Sequence, residues 1–171
     1  MQRIGILSDS HDHLDHLEQA VNLLAEQDID AWIHLGDLIA PFVAKPLRCL
    51  PGPHQLIFGN NDGEVRILTQ AFGAAIEPGP KTLDWGGRSW LLMHEPYALD
   101  AAIAAQTYDF VLYGHTHKAD LRREGRTVVL NPGEICGWLT RRPTCAVIDL
   151  GAGRTRVYGL DGAVVAELTD D

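Results

Sequence analysis

Short β-prone apolar runs that each stop at a glycine or a polar residue recur along this chain, and that recurrence limits the folds open to it. Ile4 to Leu7 stops at Ser8-Asp9-Ser10-His11, Ala31 to Leu35 at Gly36-Asp37, and Gln55 to Phe58 at Gly59-Asn60-Asn61-Asp62. Arg88 to Met93 stops at His94-Glu95, and Phe110 to Tyr113 at Gly114-His115-Thr116-His117. Runs this short read as strands. What lies between them decides the class. In the first half it is helical: Leu14, Leu17, Val21 and Leu24 share one helix face, Asp12 reads as the N-cap, and Asp15 falls in the first turn. His13 and His16 read as solvent-facing residues of that helix. Pro41 and Pro46 limit the segment after Asp37 to short helical pieces, residues 64–72 read as a short helix, and Pro78-Gly79-Pro80 marks a break.

Beyond the break the chain is mostly hairpins. Residues 81–85 and 88–93 flank Gly86-Gly87, 119–123 and 127–130 flank Glu124-Gly125-Arg126, and 145–150 and 155–160 flank Gly151-Ala152-Gly153. An alanine-rich helix over 99–106 interrupts them. This succession predicts an α/β chain with two packed sheets and helices outside, and it argues against a wholly parallel sheet.

Length fits one domain, 1–171, with a sizeable core. No apolar stretch is long enough to span a bilayer, and residues 1–9 meet an aspartate too early for a signal-peptide core, so a cytoplasmic setting is expected. Cys49, Cys136 and Cys145 are odd in number without a C-x-x-C spacing, which predicts reduced, structural thiols. A net charge of −9 with no long run among the 14 Lys and Arg argues against long nucleic acid as a partner. Composition leaves homo-oligomerisation open.

The polar residues at the strand ends are of metal-binding type: Asp9, His11, Asp37, Asn60, His94, His115 and His117. Ligands of α/β folds gather beyond the carboxyl ends of strands, so these side chains can converge although far apart in sequence. His115 and His117, two apart on extended backbone, would face one cleft, with Gly114 easing the turn. Seven donors exceed the needs of one tetrahedral ion and suit two ions sharing a bridging carboxylate, at a separation of roughly 3.5–4 Å. His34 and His54 fall outside this pattern and read as structural.

In order and spacing, Asp9-x-His11, Gly36-Asp37, Gly59-Asn60-x-Asp62, His94 and Gly114-His115-Thr116-His117 resemble the motif series of the calcineurin-like metallophosphoesterases. Asn131-Pro132-Gly133 resembles a further segment of their small bacterial and archaeal phosphodiesterase branch. The resemblance runs from about Ile4 to Leu150. It implies a four-layer sandwich of two mixed β-sheets flanked by helices, with a dinuclear site at one edge. Asp9, His11 and His117 then resemble the ligands of one ion, Asn60, His94 and His115 those of the other, and Asp37 the bridge. Mn²⁺ is the metal the family most often implies, and Fe²⁺ or Zn²⁺ also suits oxygen and imidazole donors.

The chemistry implied is attack of a metal-bridging hydroxide on a small phosphate ester, nucleotide-like in character, a diester in preference to a monoester. Asp37, Asn60, Asn61, Asp62 and His94 form the implied catalytic set. Two positions depart from the family. Asn61 stands where many relatives have histidine and this branch often has cysteine, and an amide is no general acid near neutral pH. Glu95 stands where glycine is common, and Asn61 and Glu95 are the expected substrate contacts. The rival reading is a catalytically weak metal-binding scaffold acting through protein contacts, as in the retromer small subunit, whose ligand set is altered where this one is intact. A metal-dependent barrel hydrolase is excluded by length, since such barrels need about 250 residues.

Overall fold

The computed structural model describes residues 2–170. In chain order its elements are β1 (Arg3–Leu7), α1 (Leu14–Glu26), β2 (Ala31–His34), α2 (Ala44–Leu47), β3 (His54–Phe58), α3 (Val65–Phe72), β4 (Ile76–Pro78), β5 (Lys81–Trp85) and β6 (Arg88–Met93). There follow α4 (Leu99–Ala105), β7 (Phe110–Tyr113), β8 (Asp120–Glu124), β9 (Thr127–Asn131), β10 (Thr144–Asp149), β11 (Arg154–Gly159) and β12 (Val164–Thr169). One sheet has seven strands in the order β12-β11-β10-β1-β2-β3-β4, and the other has five in the order β5-β6-β7-β9-β8. Both are mixed. β1, β2, β3 and β4 run parallel in the first, and β6, β7 and β9 run parallel in the second.

Side-chain alternation explains the layering. Ile4, Ile6, Ile33 and Ile57 point from the first sheet into one buried cluster with Trp90, Leu92, Phe110, Leu112, Val128 and Leu130 of the second, so the sheets pack face to face. The opposite face of the first sheet, with Leu7, Trp32 and Leu56, is covered by Leu17, Val21 and Leu24 of α1, Leu47 of α2 and Leu68 of α3. The opposite face of the second, with Leu91, Val111 and Val129, packs on α4 through Ala102, Leu99 and Ile103. The result is the four-layer sandwich the motif series implied. Because the parallel strands share one direction, the segments after β1, β2, β3, β6, β7 and β9 leave from one edge.

Several local expectations need correction. The N-cap of α1 is His13, whose ring nitrogen accepts the His16 N–H at 3.3 Å, and Asp12 instead accepts the Ala40 N–H. His13 and His16 are half-buried and stacked with centroids 3.8 Å apart, and His16 Nδ1 lies 3.1 and 3.0 Å from the carbonyls of Ile135 and Cys136. Neither faces solvent as expected. The structural reading of the other two holds: His34 is fully buried between the Gly36 N–H and the Ser10 hydroxyl, and His54 stacks on Trp32 at 4.5 Å. Cys49, Cys136 and Cys145 are free thiols. Among the described residues no helix is long and apolar enough to cross a membrane.

Candidate metal centre

Three strands of the shared edge, β1, β2 and β7, hand over their polar residues through turns that ordinary side chains disfavour. Asp9, His11, Asp37, His115 and His117 all have positive φ, between 44 and 65°, and so does the β-branched Ile39 at 84°. Such left-handed backbone costs non-glycine residues about 1–3 kcal/mol each and persists only where the surroundings fix it. Here the fixing groups are visible. Asp62 accepts backbone N–H groups from Asp37 at 3.1 Å, Ile39 at 2.7 Å and Gly59 at 2.7 Å, which ties the turn after β2 to the turn after β3. Asn131 donates to the Gly114 carbonyl at 2.9 Å and the Thr116 hydroxyl at 3.0 Å, which holds the turn carrying both histidines. His115 and His117 therefore reach the cleft from left-handed backbone, not from the extended backbone the sequence suggested. Gly114 serves close approach: a Cβ there would lie 2.2 Å from the Ser8 hydroxyl. At Gly59 it would lie 2.2 Å from the Asp37 carboxylate.

Donor atoms gather on two sides of Asp37, which is 1% exposed. On one side, ligand atoms of Asp9, His11, Asp37 and His117 lie within 4.8 Å of one another. His117 Nε2 is 3.4 Å from Asp9 Oδ1, and His11 Nε2 is 3.4 Å from Asp37 Oδ2. On the other side, the Asn60 side-chain oxygen is 3.0 Å from His94 Nε2 and 2.9 Å from His115 Nδ1, and His94 Nε2 is 3.3 Å from Asp37 Oδ2. The backbone N–H and side-chain amide of Asn61 both donate to Asp37 at 2.8 Å. All seven expected ligands thus meet at one place.

Whether a cation fits here is answered by the polar atoms themselves. Asp9 Oδ1 and His11 Nε2 are buried without any hydrogen-bond partner among the described residues. A buried polar atom in that state costs about 1–3 kcal/mol, more for a charge, unless something coordinates it. Burial pushes the Asp9 carboxyl above its ordinary value, with the Ser8 hydroxyl, 2.5 Å away, only partly offsetting this. At Asp37 burial acts the same way, but hydrogen bonds from His94 and Asn61 win and hold its carboxyl well below the usual range. His94 is the counterpart, lifted above its ordinary value by Asp37 against the effect of burial. The cleft favours positive charge, and its oxygen and imidazole donors match a divalent transition ion.

Two histidines are aimed by their second nitrogen. His94 Nδ1 lies 2.7 Å from the Leu35 carbonyl, which turns Nε2 toward Asn60 and Asp37. His117 Nδ1 lies 2.7 Å from Glu134 Oε2, which turns Nε2 toward Asp9. Such partners fix the tautomer and strengthen a ligand. Glu134 was not among the residues singled out from sequence. It is fully buried, follows the Asn131-Pro132-Gly133 turn, and also accepts from the Cys136 thiol, the backbone of Trp138, Leu139 and Thr140, and the Thr140 hydroxyl. Burial would raise its pKa, but these donors hold it at about 2, so it is ionised at neutral pH.

The remaining expected site residues fall out differently. Asp62 accepts backbone N–H groups on both oxygens and ties the turns after β2 and β3 together. Glu95 lies beside His94 at the rim of a depression of about 280 Å³ and accepts from the Tyr97 hydroxyl. Asn61 lines the larger opening, a cleft of about 650 Å³ that also meets His11, Asp12, Ile39, His117, Trp138 and Leu139.

The comparisons with known proteins agree with this edge. Residues 2–153 match the family model described as the calcineurin-like phosphoesterase superfamily domain. A curated relative, phosphodiesterase MJ0936 of Methanocaldococcus jannaschii, is 32% identical over 160 residues, covering 86% of this chain and 92% of its own. A solved archaeal phosphodiesterase superposes with a TM-score of 0.84 at 31% identity, over 92% of this chain and 99% of that one. Vacuolar Protein Sorting 29 of Cryptosporidium parvum has a TM-score of 0.74 at 18% identity, over 99% and 98%, and shares the fold. With β1, β2, β3, β6 and β7 delivering the ordered motifs to one cleft, this chain belongs to the calcineurin-like phosphoesterase superfamily.

Proposed function

We propose that the protein hydrolyses a small phosphodiester with the help of two divalent metal ions, Mn²⁺ foremost, and that residues 1–171 act as one cytoplasmic domain. The observation that carries this is the pairing of two donor sets about one carboxylate: Asp9, His11 and His117 on one side of Asp37, Asn60, His94 and His115 on the other. Divalent ions in such a place supply a nucleophilic water at neutral pH and offset charge on the phosphate oxygens. That offset also reconciles an acidic chain with an anionic substrate. The diester preference is supported by the archaeal relative's name, and the cytoplasmic setting by three free thiols. The scaffold reading is less favoured, because the full donor set is present and converged.

The chain's own residues define the rest. Asp37 presents a fixed negative charge to both donor sets, and Asn61 steadies it through two hydrogen bonds while lining the cleft where the ester must lie. The Asn61 amide protons are not acidic enough to transfer, so the leaving group departs without an acid from this position. Turnover is therefore expected to fall steeply with rising leaving-group pKa, with aryl esters cut well and alkyl esters poorly. General acids are worth about 10²–10⁴-fold. Asn61→His should recover only the lower part of that range for poor leaving groups, because Asp62 already accepts three backbone N–H groups and is held in the turns by them, which limits how it can orient the new ring. A series of esters graded by leaving-group pKa, in both proteins, checks this, and a flat wild-type plot with chemistry rate-limiting would sink it.

The reading as a whole is tested by metal analysis after loading with Mn²⁺, together with turnover of bis-p-nitrophenyl phosphate and p-nitrophenyl phosphate. Two ions per chain and faster diester cleavage are expected. One ion per chain removes the dinuclear reading, and a faster monoester removes the diester preference.

A further inference from the structure

Beside the two donor sets, the cleft has a wall the phosphate chemistry does not use. Trp138 is 60% exposed and Leu139 is 73% exposed, yet both line the opening that contains His11, His117 and Asn61. The Trp138 ring centroid is 5.5 Å from that of His11, with the planes 32° apart. Trp32 and Trp90 are buried and Trp85 is half-buried, which makes Trp138 the most exposed indole in the chain. An exposed indole at the mouth of a polar cleft offers an apolar face for a ring to dock on.

The loop that carries it is held still. Glu134 accepts the backbone N–H of Trp138 at 3.0 Å, of Leu139 at 3.0 Å and of Thr140 at 2.5 Å, and Arg141 N–H donates to the Gly137 carbonyl at 3.1 Å. The indole is thus presented on a backbone that loses little entropy when a flat partner docks, and pre-organisation of this kind favours affinity. On the other side of the site Tyr97 is 83% exposed, but its hydroxyl is engaged by Glu95 within its own loop. Trp138 is the better platform because it sits against His11, next to the place where phosphorus must lie.

We infer that Trp138, backed by Leu139, stacks a planar aromatic group on the non-leaving arm of the substrate, and that the natural substrate is a diester carrying a nucleobase or a similar flat ring. This rests on the phosphodiesterase reading above and names the substrate class of that site. An aromatic face accepts any base, so the platform selects for a ring and not for a sequence.

Three esters with one leaving group test it: p-nitrophenyl phosphodiesters whose other arm is thymidine 5′, phenyl or methyl. The wild-type protein is expected to prefer an aromatic arm over methyl by roughly tenfold in kcat/KM, the scale of one ring stacked on one aromatic side chain, with the preference in KM. Trp138→Ala should collapse that ratio, and Trp138→Phe should keep most of it. A loop that merely lost its shape would slow all three esters together and leave the ratio intact, and a ratio unchanged in Trp138→Ala overturns the inference. If the wild-type protein cuts none of the esters, the phosphodiesterase reading itself fails. The platform is then decided by thymidine 5′-monophosphate: tryptophan quenching present in the wild type and absent from Trp138→Phe supports it, and equal quenching in both overturns it.

Discussion

Asp37→Asn is expected to lower kcat/KM by roughly 10³-fold, about 4 kcal/mol of transition-state stabilisation, with Mn²⁺ supplied in excess. The side chain is nearly inaccessible and lies 3.4 Å from His11 and 3.3 Å from His94, the nearest members of the two donor sets. An asparagine there keeps the volume and removes the charge. Whichever way the new amide turns, its N–H₂ meets a donor, the Asn61 backbone N–H or the Asn61 side-chain amide, each of which donates to Asp37 at 2.8 Å in the wild type. Steady-state kinetics and metal content, measured together, are the check. Asp9→Asn should harm one set and leave the other able to hold an ion, so a variant at Asp37 that kept most activity while Asp9→Asn lost it would show that the two sets do not share Asp37.

Replacing Glu134 should be costly in a different measurement. Glu134→Ala strands three backbone N–H groups, the Thr140 hydroxyl and His117 Nδ1 in a fully buried site. Removing one member of a buried charged network costs about 3–5 kcal/mol, which in a chain of this length lowers Tm by roughly 6–20 °C. Glu134→Gln fills the space and keeps an acceptor, so it should fold better and show the effect on His117 more cleanly. Metal affinity is expected to fall by about 10–100-fold, because the ring loses the carboxylate that aims and strengthens it. Equal affinity in calorimetric titration would refute this role.

Glu134 also sets a pH dependence. Its carboxyl is held at about 2 in the folded chain against an ordinary value near 4.5. A depressed carboxylate contributes stability that is complete above about pH 4.5 and is lost as pH falls toward 2, here about 3 kcal/mol. Wild-type protein should therefore lose more stability across that window than Glu134→Gln, as read from denaturant midpoints at each pH.

Much of this was legible because the chemistry and the strand ends coincide in the sequence. Asp9, His11, Asp37, His115 and His117 each follow an apolar run at once, and a run with a polar terminus is a local pattern. Glu134 obeys the same rule after Thr127–Asn131, but it is one carboxylate among 23 acidic residues and follows a proline-glycine turn with no histidine beside it. Extending the strand-end rule to that run would have found it. β4 and β12 escaped notice for another reason: Ile76–Pro78 is three residues ending in proline, and Val164–Thr169 is mostly exposed on an edge, so neither shows the buried alternation that marks a strand. The N-cap of α1 was misplaced because Asp12 is the stronger intrinsic cap, whereas the turn that delivers His11 sends Asp12 to the Ala40 N–H instead. Backbone handedness at the ligands had only a weak sequence signal: aspartate and histidine enter left-handed turns more often than most residues but still uncommonly, and tertiary ties decide which of them do.

Those left-handed turns have a consequence for how the protein can change. Five of the seven donors sit on backbone that glycine or asparagine would occupy with less strain. At these positions selection for heat resistance and selection for turnover pull in opposite directions. A library screened for thermal survival alone should drift toward glycine and asparagine there and lose its donors one at a time, while the sandwich beneath stays intact. Thermostabilisation of this scaffold is best sought in the helices and the far ends of the strands, with the turn residues held fixed.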